Sequence, residues 1–445
     1  MRINPLEKFR NKSFNEQLLD IFFITGALLI VVFIIEFFVN WFTVQPNSIY
    51  NNPVFQHNLF DRYMDFFNIT YFASTLDPYN SSFASSYPPL NFVFSFFFIL
   101  ISWMGGSNVW ASGSVAARAT AAGLAALGVY FALTAAAFTF IIIRVQRKFK
   151  LSWKTTALLT LLLLISSPVL FAVERGNYVF IVLFFTSLFL LDYNSEKRVL
   201  RELSLVWLAV ATAMRLYPAI FIILLLKEKR FADTLKTAVY SLLLFFLPFF
   251  IFNGGFVYNV KSYFANTVTF SGYELLSINV SIVNVFKLVW SFFSSNIPSA
   301  LTTVGTVFSV LLLVLSCVAC FLTKDKWKII TLLCVLCATV PNPSKINALV
   351  FVFPAVVAFV AAEHKNKLDI LYAVLLLLIV TPVQFGYYIA PTSSTDLGVS
   401  VGCVIESFAC IVLLIALNVD IFVDFFKRRT AGKRRRKFPN NQFIS

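Results

Sequence analysis

Residues 18–41 read LLDIFFITGALLIVVFIIEFFVNW, an apolar run interrupted only by Asp20 and Glu36. About 20 apolar residues suffice to cross the hydrocarbon core of a bilayer, and lipid leaves a chain no way to satisfy its backbone there except as a helix or a closed barrel. Arg2, Lys8, Arg10 and Lys12 precede the run. It is too long for a removable signal peptide and lacks a small-residue cleavage site, so it reads as a retained first span with a cytoplasmic N-terminus. Similar runs recur at about 89–104, 119–143, 155–173, 178–193, 204–226, 233–253, 299–321, 328–341, 345–362, 368–390 and 397–425. This pattern predicts an all-α polytopic membrane protein with about 11–13 transmembrane or re-entrant helices and two long extracytoplasmic loops, near 43–88 and 254–298.

Composition agrees. Of 445 residues, 59% are hydrophobic and only 13% charged, where soluble domains carry about 25% charged residues. A water-soluble enzyme and a disordered chain are excluded. The formal charge of +15 would suggest nucleic acid in a soluble protein. Here the cations cluster between apolar runs, at Arg144–Lys154, Glu196–Arg201, Lys227–Lys236, Lys324–Lys328 and His364–Lys367, with a basic tail from Lys427 to Lys437. They read as cytoplasmic retention signals. Both termini are therefore expected in the cytoplasm, with residues 1–426 forming a single integral membrane domain and 427–445 a basic tail. External segments are expected at 43–88, 174–177, 254–298, 341–345 and 391–396.

Two runs resist a simple crossing. The run 204–226 has basic clusters on both sides but too few residues for two spans, so it should break near Arg215–Pro218, where proline interrupts a helix. The run 89–104 is expected to re-enter rather than cross. The cysteines Cys317, Cys320, Cys334 and Cys337 have a C-x2-C…C-x2-C spacing that suggests zinc in a soluble chain. Here they lie inside apolar runs, where thiolates are penalised, and read as small helix residues; no metal or cofactor is expected.

The candidate chemistry lies in the external segments. The first loop contains LFDRYMDFFNITYFASTLDPYNSSFASSYPPL, residues 59–90. Asp61 and Asp65 are four apart and share a face if helical. A carboxylate in a partly desolvated cleft can act as a general base; Asp77-Pro78 reads as a turn. Arg175, Arg215 and Lys345 fall at the same face, with Gly176 suited to a left-handed turn before Asn177. Cations at membrane depth are costly and commonly functional, and an anionic phosphate would give these three a shared purpose.

Asp65-Phe66-Phe67, Asp77-Pro78-Tyr79 and Tyr87-Pro88-Pro89-Leu90 resemble the first-loop signature of glycosyltransferase family 87, in the C-type membrane glycosyltransferase superfamily. Arg215-Leu216-Tyr217-Pro218 is similar to the family's Lys-x-Tyr-Pro element, Arg175-Gly176-Asn177 to its Gly-Asn turn and Asn279-Val280-Ser281 to its Asn-x-Ser element. The family's Ser-x-x-Trp and His near the later proline are replaced here by Pro341-Asn342-Pro343-Ser344-Lys345. The resemblance implies transfer of mannose or another hexose from a polyprenyl-phosphate carrier to a lipid-linked or cell-wall glycan acceptor, outside the membrane of a probably bacterial cell envelope. It also implies an Asp base, Asp65 with Asp61 secondary; donor or substrate contacts are expected from Arg215, Arg175, Lys345, Tyr87, Tyr217, Asn177 and Asn279. A lipid-linked oligosaccharide polymerase or ligase, and a transporter or flippase, are the rival readings; the latter should show repeated halves, and no repeat is evident.

Overall fold

The computed structural model describes residues 12–43, 61–80, 85–103, 108–272, 276–294, 296–364, 366–383, 387–388 and 399–437. It is overwhelmingly helical; among the described residues the exception is a two-residue antiparallel pairing of Tyr387–Tyr388 with Val399–Ser400. The expected external segment 391–396 lies outside the described residues.

Helix α1 (Phe14–Thr43) is the first span, α2 (Met64–Thr75) lies in the first long loop, and α3 (Leu90–Trp103) follows it. A short turn, α4 (Ser114–Arg118), leads into the long α5 (Ala121–Phe149), whose Thr120 cap accepts a bond from Gly123 N. Next come α6 (Trp153–Leu164), α7 (Ser167–Arg175), α8 (Val179–Asp192) and α9 (Arg198–Met214). A 3₁₀ turn at Tyr217–Phe221 and α10 (Ile222–Lys227) return the chain to the basic side, and α11 (Phe231–Phe246) leaves it again. The second long loop holds α12 (Phe256–Gly272) and α13 (Ile282–Ser291). The remainder comprises α14 (Ala300–Leu322), α15 (Lys326–Thr339), a 3₁₀ segment at Ile346–Val352, α16 (Phe353–Val360), α17 (Leu368–Ile379) and α18 (Val401–Lys437).

Among the described residues five helices (α1, α5, α11 with its 3₁₀ extension, α14 and α18) are long and apolar enough to cross alone. The α6–α7 pair makes a sixth candidate, bent by 55°. Six shorter apolar helical segments of 10–17 residues accompany them, one of them α13 in the second long loop. The bend divides what the hydropathy of 155–173 presents as one span. Pro168, at the start of α7, has no N–H to continue the α6 ladder and is well suited to a first helical turn.

The expected break in 204–226 is present but begins earlier than the proline. Arg215 is extended, at φ −150° and ψ 123°, ending α9 before the Tyr217–Phe221 turn. Helix α3 has 14 residues, about 21 Å at 1.5 Å per residue. That is shorter than the roughly 30 Å hydrocarbon core.

Burial separates two roles for the apolar residues. Leu124, Leu133 and Phe140 on α5, and Val304, Val307 and Val314 on α14, are exposed, as lipid-facing side chains should be. By contrast α15, the Ile346–Val352 segment and α16 are buried almost throughout and form the protein's packed centre. Cys334 and Cys337 are buried there on α15, and Cys320 is buried on the neighbouring α14. Charges at the basic face are paired: Arg144 Nη2 lies 2.5 Å from Asp192 Oδ1, and Lys328 Nζ lies 2.7 Å from Asp420 Oδ2.

Candidate active site

The first loop reaches the site through the start of α2. Tyr63 adopts a left-handed conformation and donates its N–H to Glu174 O at 2.6 Å, docking the loop on the α7–α8 turn. Asp65 then falls in the first turn of α2, where the helix macrodipole favours a negative charge. Asp65 is only 5% exposed. Its Oδ1 accepts a bond from Arg175 Nη2 at 2.7 Å, and its Oδ2 accepts one from Asn177 Nδ2 at 2.5 Å.

Arg175 spans both acidic residues. It donates through Nη1 to the Asp61 carboxylate and to Asp61 O. Asp61 is the outer member, its side chain half exposed. Gly176 has φ +61°, and a Cβ there would meet Phe66 Cβ at 2.9 Å and Tyr63 Cα at 3.4 Å. The turn therefore lies too close to α2 for a side chain, and the backbone conformation also favours glycine.

Asn177 links the acidic half of the site to the basic half. Its Oδ1 accepts from Val179 N at 2.9 Å and from Arg215 Nη2 at 3.0 Å, while its backbone carbonyl accepts from Tyr130 OH at 2.6 Å. The Arg215 guanidinium lies over the Tyr87 ring, 5.1 Å from its centroid. Asn91 fixes this pairing by donating to both Pro88 O and Met214 O at 2.9 Å. Tyr79 OH donates to Tyr87 O at 3.1 Å. Tyr217 packs edge-on against Phe351, at 5.4 Å. Neither Arg175 Nε nor Arg215 Nε, both buried, has a hydrogen-bond partner among the described residues.

Lys345 arrives from the other end of the chain. Asn279 pairs with it in an isolated antiparallel bridge, and Val280 N donates to Ser344 O at 2.6 Å. The Asn279 side chain is buried, and its Oδ1 accepts from Ser281 N at 3.0 Å and Ser344 N at 3.1 Å. Asn279 thus holds the Lys345 loop in place. Lys345 keeps solvent-accessible surface although protein surrounds it on most sides, as a residue lining a recess does.

Burial alone would raise the Asp65 pKa, but Arg175, then Lys345, and the bonds from Arg175 and Asn177 outweigh it and bring it down to about 2. Burial depresses the Lys345 pKa, an effect that Asp65 opposes. Burial raises that of Tyr87, with Asp65 adding to the shift. At neutral pH the site therefore presents an ionised carboxylate facing a cluster of cations and tyrosines.

Asp65, Asp61, Arg175, Asn177, Arg215, Tyr87 and Lys345 thus form one constellation. Asp77 does not join it: it accepts from Asn80 Nδ2 at 2.5 Å within its turn. The sequence reading overlooked Asn91 and Tyr130, whose signal was a polar group inside an otherwise apolar helix. Glu406 is buried on α18, and its Oε2 has no partner among the described residues.

An acidic loop docked on cationic turns at one end of a lipid-facing helical bundle is the architecture of an integral membrane glycosyltransferase. The model of glycosyltransferase family 87 matches residues 86–343, more than half the chain, and the protein belongs to that family. No curated protein matches it.

Proposed function

We propose that the protein transfers a hexose, mannose being the first candidate, from a polyprenyl-phosphate carrier to a lipid-linked or cell-envelope glycan at the extracytoplasmic face. The observation that supports this most is the Asp65 carboxylate, held ionised by Arg175 and Asn177 beside Arg215 and Lys345.

In this reading the acceptor hydroxyl oxygen bonds to the anomeric carbon as the bond from that carbon to the phosphate oxygen breaks. The electron pair leaves with the phosphate, and the hydroxyl proton passes to Asp65. Arg215 and Lys345 neutralise the leaving phosphate, and Arg can do so through two parallel N–H bonds. Asp65 is a weak base at its resting pKa, so proton transfer occurs late, once bonding to an oxocarbenium-like carbon has made the hydroxyl acidic. Asp61 keeps Arg175 oriented, and Tyr87 and Tyr217 border the cation.

The test supplies synthetic polyprenyl-phosphate sugars to the outer face of sealed, oriented proteoliposomes. One headgroup should be consumed from outside and lost from its carrier. Consumption only from the inner face, or of no polyprenyl-linked sugar at all, would refute the proposal.

A further inference from the structure

A cavity of about 450 Å³ lies between α5, α6, α8 and α16, within the size range of small-molecule sites. Its walls are almost wholly apolar: Phe131, Ala135, Phe138 and Phe149 come from α5, with Val173 from α7 and Phe180 from α8. No charged side chain lines it, only a few Thr and Ser hydroxyls among apolar groups, and a hydrocarbon chain suits it. Phe131 and Phe149 are 18 residues apart on one helix, about 27 Å at 1.5 Å per residue. One leaflet offers only half of the roughly 30 Å core, so an ordinary acyl chain fills about half of this groove.

The position of the groove identifies its user. The Phe131 ring packs on Tyr63 at 5.9 Å, and Tyr63 sits between Asp61 and Asp65. The Phe131 end of the groove therefore lies on the acidic side of the site, with the Asn177 bridge between it and Arg215. In the displacement above, the acceptor hydroxyl must reach the base, whereas the leaving phosphate belongs with Arg215 and Lys345. Beside that end, Arg118 Nη1 donates to the backbone carbonyl Arg62 O at 2.8 Å, which places the Arg118 guanidinium next to Tyr63. That charge matches an anionic linkage between a lipid and its glycan.

We infer that the acceptor is a glycan carried on a long isoprenoid phosphate, with its chain in the groove between α5, α6, α8 and α16 and its phosphate near Arg118. The inference rests on the reading of Asp65 as the base.

Ala135 is exposed one helical turn into the groove from Phe131, so Ala135→Trp blocks that end of the groove without overpacking a core. With one glycan mounted on short or long isoprenoid phosphates, Ala135→Trp should raise KM for the long-chain acceptor by roughly tenfold, about 1.4 kcal/mol. KM for the donor and for the short-chain acceptor should stay unchanged. A photoreactive long-chain isoprenoid phosphate gives a readout that needs no turnover. It should crosslink to residues 131–149, be displaced by the isoprenoid-linked glycan, and resist displacement by the sugar-phosphate donor.

An unchanged long-chain KM, a donor KM that rises instead, or equal crosslinking by a photoreactive phospholipid would each overturn the inference. If no polyprenyl-linked sugar is consumed while the crosslink behaves as expected, the donor reading fails and the groove assignment stands.

Discussion

Asp65→Asn is the most direct perturbation of the proposed chemistry. It removes the proton acceptor while keeping the shape and one acceptor oxygen for Arg175. A general base contributes about 10²–10⁴-fold to rate, or roughly 3–5 kcal/mol at 1.36 kcal/mol per decade, so turnover should fall by that factor. Breaking a buried ion pair by removing one partner costs about 3–5 kcal/mol when the other is left uncompensated. Arg175 is not left so, because it also holds Asp61; the stability loss should fall below that range and the protein should remain folded. Asp61→Asn provides the comparison. Its side chain is 51% exposed, where a salt bridge contributes about 0–1 kcal/mol, so turnover should stay within roughly tenfold of the parent. The assay is sugar transfer in proteoliposomes, with donor binding measured separately and folding followed by thermal melting. Undiminished turnover in a folded Asp65→Asn protein would remove Asp65 from the mechanism; a dead Asp61→Asn beside an active Asp65→Asn would move the base four residues upstream.

Three further outcomes follow from the same geometry. Because Arg175 and Lys345 hold the Asp65 pKa at about 2, below its ordinary 3.8, kcat/KM should show no acid limb between pH 5 and neutrality, about three units above that pKa. The same depression contributes stability above pH 3.8 that is lost as pH falls toward 2, and an acid limb centred near pH 6 would contradict this. Arg215→Ala should weaken donor binding by about tenfold or more, with Arg215→Lys milder since it keeps the charge but not the paired donors; equal donor KM in all three proteins would make Arg215 an interfacial cation only. Gly176→Ala should cost more than the roughly 1–2 kcal/mol of a left-handed residue, because its Cβ meets Phe66 at 2.9 Å, and turnover should fall as Arg175 and Asn177 shift; an unchanged melting temperature would show that the turn relaxes freely.

The second long loop shows where local reading stopped. Residues 254–298 stood out for lacking a hydropathy strong enough to span, yet they fold into α12 and α13. Ser281 caps the latter by accepting from Asn284 N. Asn279 is a substrate contact by the family resemblance, which says nothing of the bonds that hold its side chain. Its carboxamide oxygen accepts from two backbone amides, one of them 65 residues away.

What the sequence determined alone was the solvent. Runs of about 20 apolar residues can satisfy their backbones in lipid only as helices, so the helical membrane class, the break near Arg215 and the concentration of chemistry in a few polar turns were all legible. The candidates were legible by type too, since an Asp, Arg or Lys at membrane depth is costly. Their partnerships were not. Asp65 meets Arg175 across 110 residues and Asn177 across 112, separations over which no helical period carries information. Those pairings and the low pKa they impose arise where α2 packs on the α7–α8 turn, so closely that no side chain fits at Gly176, and brings the opposite charges together out of water.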